Sequence, residues 1–155
     1  MRPIIFLDVD GVLNTPLSWG YRREKGMDRE KVERVSKLAE EVNADVIISS
    51  AWRNAYSLLE LKDMLQKRGF QNTARIIGIT PRISLERRGE EIKAWINETL
   101  IGVKPKFVAL DDQWEISFLA HGVPYVQTRC SVGITDADVE NAKLILRPDA
   151  DAISE

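Results

Sequence analysis

The sequence predicts a doubly wound α/β domain, with a parallel sheet and helices on both of its faces. Short apolar runs alternate with amphipathic stretches of helical period along the chain. Such alternation is typical of parallel strands joined by helical crossovers. The length of 155 residues fits one hydrophobic core. We expect one domain over residues 1–147 and a loose tail over 148–155.

The predicted strands are apolar runs that are too short to be helices. They cover residues 3–9, 45–49, 74–77, 106–110 and 123–127. The predicted helices cover residues 28–42, 55–68, 88–100, 113–121 and 136–146. The first of these has Val35, Leu38 and Val42 on one face, which is the spacing of a helix packed on a sheet. The last follows Thr135, which forms a capping-box pattern with Asp138.

Composition excludes several classes of protein. The formal net charge is -2 and the pI is near 5.6, which argue against a protein that coats nucleic acid by bulk charge. No apolar stretch is long enough to cross a membrane, and the N-terminus has no signal-peptide pattern. The single cysteine, Cys130, has no partner for an internal disulfide. We therefore expect a soluble, cytoplasmic protein.

The first predicted strand ends in two carboxylates, Asp8 and Asp10, followed by Gly11. Side chains alternate along an extended chain, so both carboxylates are expected on the same side. Two like charges so close are costly unless they share a cation or a proton. Taken alone, the pair fits a turn before glycine as well as a functional site.

Polar residues also follow other predicted strands. Ser49 and Ser50 follow the second strand, Asp111 and Asp112 follow the fourth, and Arg88 begins the helix after the third. Ligands of open parallel sheets bind beyond the carboxyl ends of the strands. Each group has a structural alternative, as a turn, a helix cap or a solvated charge. Their coincidence at strand ends favours one common site.

This set of groups suits phosphoryl transfer. Asp8 is the expected nucleophile, which forms an aspartyl-phosphate. Asp10 is the expected general acid, and then the base that activates water. We expect Mg²⁺ on Asp8, on the backbone carbonyl of Asp10, and on Asp111 or Asp112, because this ion prefers oxygen ligands.

The transferred phosphate also needs donors and a fixed positive charge. The hydroxyl of Ser49, the amide of Ser50 and the guanidinium of Arg88 are expected to supply them.

The same residues resemble the four motifs of the haloacid dehalogenase (HAD) superfamily of phosphatases. The motifs follow in order: Asp8-Val9-Asp10-Gly11-Val12, Ser49, Arg88-Gly89 and Leu110-Asp111-Asp112. The resemblance covers about residues 3–128 and implies a Rossmann-like sheet of order 5-4-1-2-3 and Mg²⁺-dependent phosphoester hydrolysis. An aspartate at the position of Asp10 marks the phosphatases of this superfamily. Its third motif usually has lysine where this chain has Arg88, and Lys93 is the alternative cation.

Two further sequence segments are similar to those of a small subgroup related to RNA-repair proteins. They are Ser49-Ser50-Ala51-Trp52-Arg53 and Arg88-Gly89-Glu90-Glu91-Ile92, the second followed by Trp95. The chain has no segment long enough for a cap domain, and only 13–27 remains as a flap. An open site suits a phosphate at the end of a macromolecule, whereas a lid from a partner subunit is the alternative.

Basic residues are expected around this site. They are Arg22, Arg23, Lys25, Arg53, Arg82, Arg87 and Arg88. Such a rim favours a substrate with more than one phosphate, and Arg22, Arg23 and Arg53 are the expected contacts. Trp52 is expected either to stack on a base or to pack under the second strand. His121 and Cys130 are expected to lie away from the site.

The sequence therefore predicts a phosphatase that acts on nucleic-acid ends or nucleotides. One alternative is a phosphatase of small phosphorylated metabolites with a lid from a partner subunit. Another is a phospho-accepting, receiver-like switch without turnover. In receiver domains the phosphoacceptor follows a middle strand of the sequence, whereas here Asp8 and Asp10 follow the first strand. A catalytically inactive domain is disfavoured, because all the expected acidic residues, Asp8, Asp10, Asp111 and Asp112, are present.

Overall fold

The structure, a computed structural model, describes residues 1–19, 26–83 and 87–147. The predictions for Arg22, Arg23, Lys25 and the tail at 148–155 lie outside these ranges. No helix in the described ranges is long and apolar enough to cross a membrane.

Five parallel strands form one sheet in the order β3-β2-β1-β4-β5. Their bounds are β1 Ile4–Leu7, β2 Asp45–Ile48, β3 Ile76–Ile79, β4 Phe107–Asp111 and β5 Tyr125–Gln127. The predicted order is the same order read from the other edge, so the doubly wound, Rossmann-like fold is confirmed. Strand β1 is central, and Leu7 at its end lies between Ile48 of β2 and Leu110 of β4.

Helices cover both faces of the sheet. They are α1 Pro16–Trp19, α2 Arg29–Val42, α3 Leu58–Lys67, α4 Arg88–Thr99, α5 Glu115–Ala120 and α6 Asp136–Leu146. Alternate residues of β1 enter two different cores, because side chains alternate along a strand. Ile5 and Leu7 lie in the core shared with α2, α3 and α6, whereas Ile4 and Phe6 lie in the core shared with α4 and α5.

The structure confirms the last predicted helix, including the Thr135–Asp138 capping box. Helix α3, the second of the predicted helices, begins at Leu58, three residues later than predicted, because Ser57 and Glu60 form a capping box there. The third strand begins at Ile76 rather than at residue 74. A 3-10 turn, Thr73–Arg75, occupies that position, and the Arg75 guanidinium is held by Glu40 at 2.8 Å and by the Ala44 carbonyl at 3.1 Å.

Backbone hydrogen bonds continue the sheet beyond the strand ends and fix the site. The amide of Asp8 donates to the Leu110 carbonyl over 3.1 Å, and the amide of Ser49 donates to the Leu7 carbonyl over 2.8 Å. The residues that follow β1, β2 and β4 are therefore held side by side at the carboxyl edge of the sheet.

Candidate active site

Three carboxylates meet at this edge of the sheet. Asp8, Asp111 and Asp112 each offer an oxygen, and these oxygens lie within 4.8 Å of one another. Burial raises the pKa of Asp8 to about 6, against the opposing effect of Arg88. Burial and the neighbouring charge of Asp8 raise the pKa of Asp111 as well. Asp8 and Asp111 are buried and Asp112 is partly buried. Carboxylate oxygens this close together repel one another and are the ligands that a hard divalent cation prefers, so the cluster fits such an ion.

Arg88, the first residue of α4, brings a positive charge to this acidic cluster. Its Nη1 lies 3.5 Å from Asp8 Oδ1 and 3.5 Å from Asp111 Oδ2. The same nitrogen donates to the Ser49 carbonyl. Lys93, the alternative cation, lies over the ring of Phe107 at the amino end of β4, away from the acidic cluster. Of Arg88 and Lys93, Arg88 is therefore the residue that lies beside the acidic cluster.

Gly89 sets how closely α4 approaches α5. Its amide donates to Ser117 Oγ over 2.9 Å. A Cβ on Gly89 would lie 2.5 Å from the backbone oxygen of Ser117, which is closer than real Cβ atoms approach. The helix that carries Arg88 can therefore pack this closely only because glycine follows the arginine.

The two serines after β2 have different surroundings. Ser50 Oγ accepts a hydrogen bond from the Trp52 amide at 3.2 Å and so caps the 3-10 turn Ala51–Asn54. Ser49 Oγ is buried, and it has no hydrogen-bond partner among the described residues. A buried hydroxyl without a partner costs folding free energy, so Ser49 is available to a ligand oxygen.

The carboxylate of Asp10 is held apart from the three that meet. Its Oδ1 accepts hydrogen bonds from Trp52 Nε1 at 2.9 Å and from Asn14 Nδ2 at 3.0 Å. Asn14 is fully buried, and its Nδ2 also donates to the Gly26 carbonyl.

Comparison with known proteins agrees with this arrangement. A family model described as the HAD domain in Swiss Army Knife RNA repair proteins matches residues 4–139. The chain belongs to this family. Searches of curated proteins and of solved structures found no match.

One buried residue of this HAD domain was missed by the sequence reasoning. Glu91, on α4, is 1% exposed, and its Oε2 lies 2.5 Å from Arg53 Nη2. Its other oxygen lies 3.6 Å from Arg88 Nε. The spacing of three residues between Arg88 and Glu91 on a helix is the signal that predicts this contact.

Arg53 and Trp52, the expected substrate contacts, are both engaged within the HAD domain. The Arg53 side chain is 7% exposed, pairs with Glu91 and donates to the Ser50 carbonyl over 2.9 Å. Trp52 packs against the larger core, which is the second of its two expected roles. Roles of Arg53 and Trp52 in binding substrate stay predictions.

Cys130 lies closer to the site than the sequence reasoning expected. Desolvation, together with the charge of Asp112 and a hydrogen bond to it, raises the pKa of the Cys130 thiol. The expectation that Cys130 lies away from the site is wrong, because the loop after β5 returns to the first motif. Thr128 Oγ1 donates to the Gly11 carbonyl over 2.7 Å. His121 ends α5, as expected.

Proposed function

We propose that this HAD domain is a Mg²⁺-dependent phosphatase that works through an aspartyl-phosphate on Asp8. The observation that carries the proposal is the pair of side chains near Asp8, the Arg88 guanidinium and the Ser49 hydroxyl. The buried guanidinium lies 3.5 Å from the Asp8 carboxylate, and the Ser49 hydroxyl, which has no hydrogen-bond partner among the described residues, follows the neighbouring strand. A positive charge and a free donor beside a nucleophile are what a phosphoryl group requires.

The chain's own residues divide the reaction into two displacements. Asp8 attacks phosphorus, and the bond between phosphorus and the leaving oxygen breaks while Asp10 gives that oxygen a proton. Asp10 then takes a proton from the water that attacks the Asp8 phosphate, which releases inorganic phosphate. Arg88 and Ser49 hold the phosphoryl oxygens in both steps.

Asp8, the Asp10 carbonyl, and Asp111 or Asp112 would hold Mg²⁺. When bound, Mg²⁺ supplies positive charge that offsets the repulsion between the carboxylates and the phosphate. Burial is the main cause of the raised pKa values of Asp8 and Asp111, and it disfavours both groups as anions. A bound cation would offset that cost, which supports this fit.

Phosphorylated nucleic-acid ends or nucleotides are the proposed substrates. The family is described by its occurrence in RNA repair proteins. A groove of about 770 Å³, lined by Trp114, Arg87 and Gln127 among others, lies beside the site. Arg88 connects the two, because its guanidinium carbon lies 5.8 Å from the centroid of the Trp114 ring. The groove supports a substrate that extends beyond its phosphate.

Hydrolysis of 4-nitrophenyl phosphate with and without Mg²⁺ tests the reaction. Asp8→Asn should lower kcat by at least about 10³-fold, because it removes the nucleophile. Asp63→Asn is the matched control, since it makes the same exchange on the exposed side of α3. Equal phosphate release by the wild type and Asp8→Asn would contradict the proposal.

A panel of phosphorylated oligonucleotides, nucleotides and alkyl phosphates tests the substrate class. Oligonucleotides or nucleotides should have the highest kcat/KM. A preference for small alkyl phosphates would reject this substrate class and leave the phosphatase intact. A stable phosphoryl group on Asp8 after treatment with acetyl phosphate, without turnover, would favour a receiver-like switch.

A further inference from the structure

We infer that Trp52 is a positioning residue that holds the carboxylate of Asp10 for its two proton transfers. The inference rests on the proposed phosphatase function and adds a residue to it. Asp10 and Trp52 are 42 positions apart in the sequence, and the indole Nε1 donates to Asp10 Oδ1 over 2.9 Å. This contact joins the residues after β1 to those after β2.

The indole is itself fixed from several directions. Ser50 Oγ accepts from the Trp52 amide, which holds the backbone of the turn. The ring of Tyr56 lies 5.6 Å from the indole, between centroids, at an interplanar angle of 37°. A Cβ on Gly26 would lie 2.1 Å from Trp52 Cη2, so the chain at Gly26 passes directly against the ring. The Nε1–H donor is therefore held in one place.

The hydrogen bonds to Asp10 indicate which of its two carboxylate oxygens carries the transferred proton. Trp52 and Asn14 both donate to Oδ1. Within the described parts of the chain, Oδ2 accepts no hydrogen bond. An oxygen that already accepts two N–H groups has little capacity for a third partner, so the proton given to the leaving oxygen is carried on Oδ2.

Orientation is what such a contact contributes to catalysis. A general acid must lie within hydrogen-bond reach of the leaving oxygen, and a small misplacement costs about 100-fold in rate. Without the indole, Asp10 keeps its charge and its contact with Asn14, but it loses one of the two donors that fix its orientation. The expected defect is therefore in proton transfer rather than in substrate binding.

The kinetic test compares leaving groups in Trp52→Phe. For an alkyl phosphate, whose leaving oxygen needs a proton, kcat/KM should fall about 10- to 100-fold with little change in KM. For 4-nitrophenyl phosphate, a much better leaving group, the fall should be smaller. Trp95→Phe is the matched control, because Trp95 loses the same indole in the other core, away from Asp10. An equal fall for both substrates would overturn the inference.

A double-mutant cycle shows whether Trp52 acts through Asp10. In an Asp10→Ala background, Trp52→Phe should change kcat/KM by no more than about 2-fold, because the group that it positions is gone. A further loss as large as in the wild-type background would overturn the inference.

A third measurement does not depend on activity. The Nε1–H resonance of Trp52, identified by its absence in Trp52→Phe, should shift and exchange faster with solvent in Asp10→Ala but not in Asp63→Asn. An unchanged resonance would overturn the inference even in an active enzyme. Inactivity of the wild type on every ester would overturn the proposed function, whereas a shifted resonance would still support the contact.

Discussion

Arg88 and Asp10 flank the proposed nucleophile in the reaction, and the protein holds them by different kinds of contact. Arg88 lies in a buried charged network with Asp8, Asp111 and Glu91, with nitrogen–oxygen separations of 3.5 to 3.6 Å. Asp10 is held by two uncharged N–H donors, at 2.9 and 3.0 Å.

The difference matches the two chemical tasks. Arg88, the proposed phosphate-binding group, keeps its charge throughout the proposed reaction. A buried ion pair holds a permanent charge well because breaking the pair is costly. An acid–base group changes its charge twice in each turnover. A carboxylate paired with a cation resists that change, whereas uncharged donors orient it without a comparable penalty.

Among the variants that test this comparison, Glu91→Gln should have the largest effect on stability. This change leaves the buried Arg53 and Arg88 without their shared counter-charge, and breaking a buried pair costs about 3–5 kcal/mol. Urea unfolding of the full chain measures the loss. Glu90→Gln is the matched control, because Glu90 is more exposed and pairs with Arg87 only at 3.6 Å. A similar loss in both variants would show that the buried network does not depend on its charges.

The pH dependence of stability tests the acidic cluster. The pKa of Asp8 is raised from 3.8 in the unfolded chain to about 6 in the fold, chiefly because the carboxylate is buried. Ionised Asp8 therefore destabilises the metal-free protein above about pH 6. This penalty is lost as the pH falls through 6 towards 3.8.

Unfolding of the chelator-treated protein at pH 7.5 and at pH 5 measures this effect. The wild type should gain stability at the lower pH, and Asp8→Asn should gain less. At pH 7.5, Mg²⁺ should stabilise the wild type more than Asp8→Asn. The same pH response in both proteins would show that the charge of Asp8 does not cause the pH dependence of stability.

The smallest expected change in stability is that of Ser49→Ala. Its hydroxyl has no partner among the described residues, so its removal should leave the free energy of unfolding nearly unchanged or slightly higher. The value of kcat should nevertheless fall about 100-fold through loss of a phosphate donor. Ser117→Ala is the control, because the hydroxyl of Ser117 accepts from the Gly89 amide and its loss should destabilise the fold. A marked loss of stability in Ser49→Ala would assign the hydroxyl to the fold.

The strand–helix alternation was sufficient to predict the fold, because each element carries its own period of apolar residues. The start of α3 is set by the Ser57–Glu60 capping box, which the predicted boundary overlooked. The start of β3 is displaced by a 3-10 turn in which Arg75 contacts Glu40, a tertiary contact that the local pattern does not predict. Asp8, Ser49, Arg88 and Asp111 were predictable as candidates because parallel strands bring their carboxyl ends to one edge.

The contact between Trp52 and Asp10 was not predictable in the same way. It depends on the direction in which the 3-10 turn after β2 orients the Trp52 indole, and the periodicity of apolar residues does not predict that direction. The position of Cys130 depends on a loop that returns to Gly11 from 117 residues away. The direction of a side chain and the return of a distant loop are tertiary properties, so the periodicity of the sequence does not predict these supporting residues.

The close packing of Gly89 on Ser117 bears on how this site tolerates change. A single methyl group at position 89 would collide with backbone, which cannot yield as a flexible side chain does. The first turn of α4 would have to lift from α5, and the arginine on that turn would withdraw from the two carboxylates that it contacts. The position of the Arg88 guanidinium thus depends on the absence of a side chain at the next residue, where the Ser117 backbone leaves no room for one. Residue 89 therefore limits the site although it contacts none of the acidic groups.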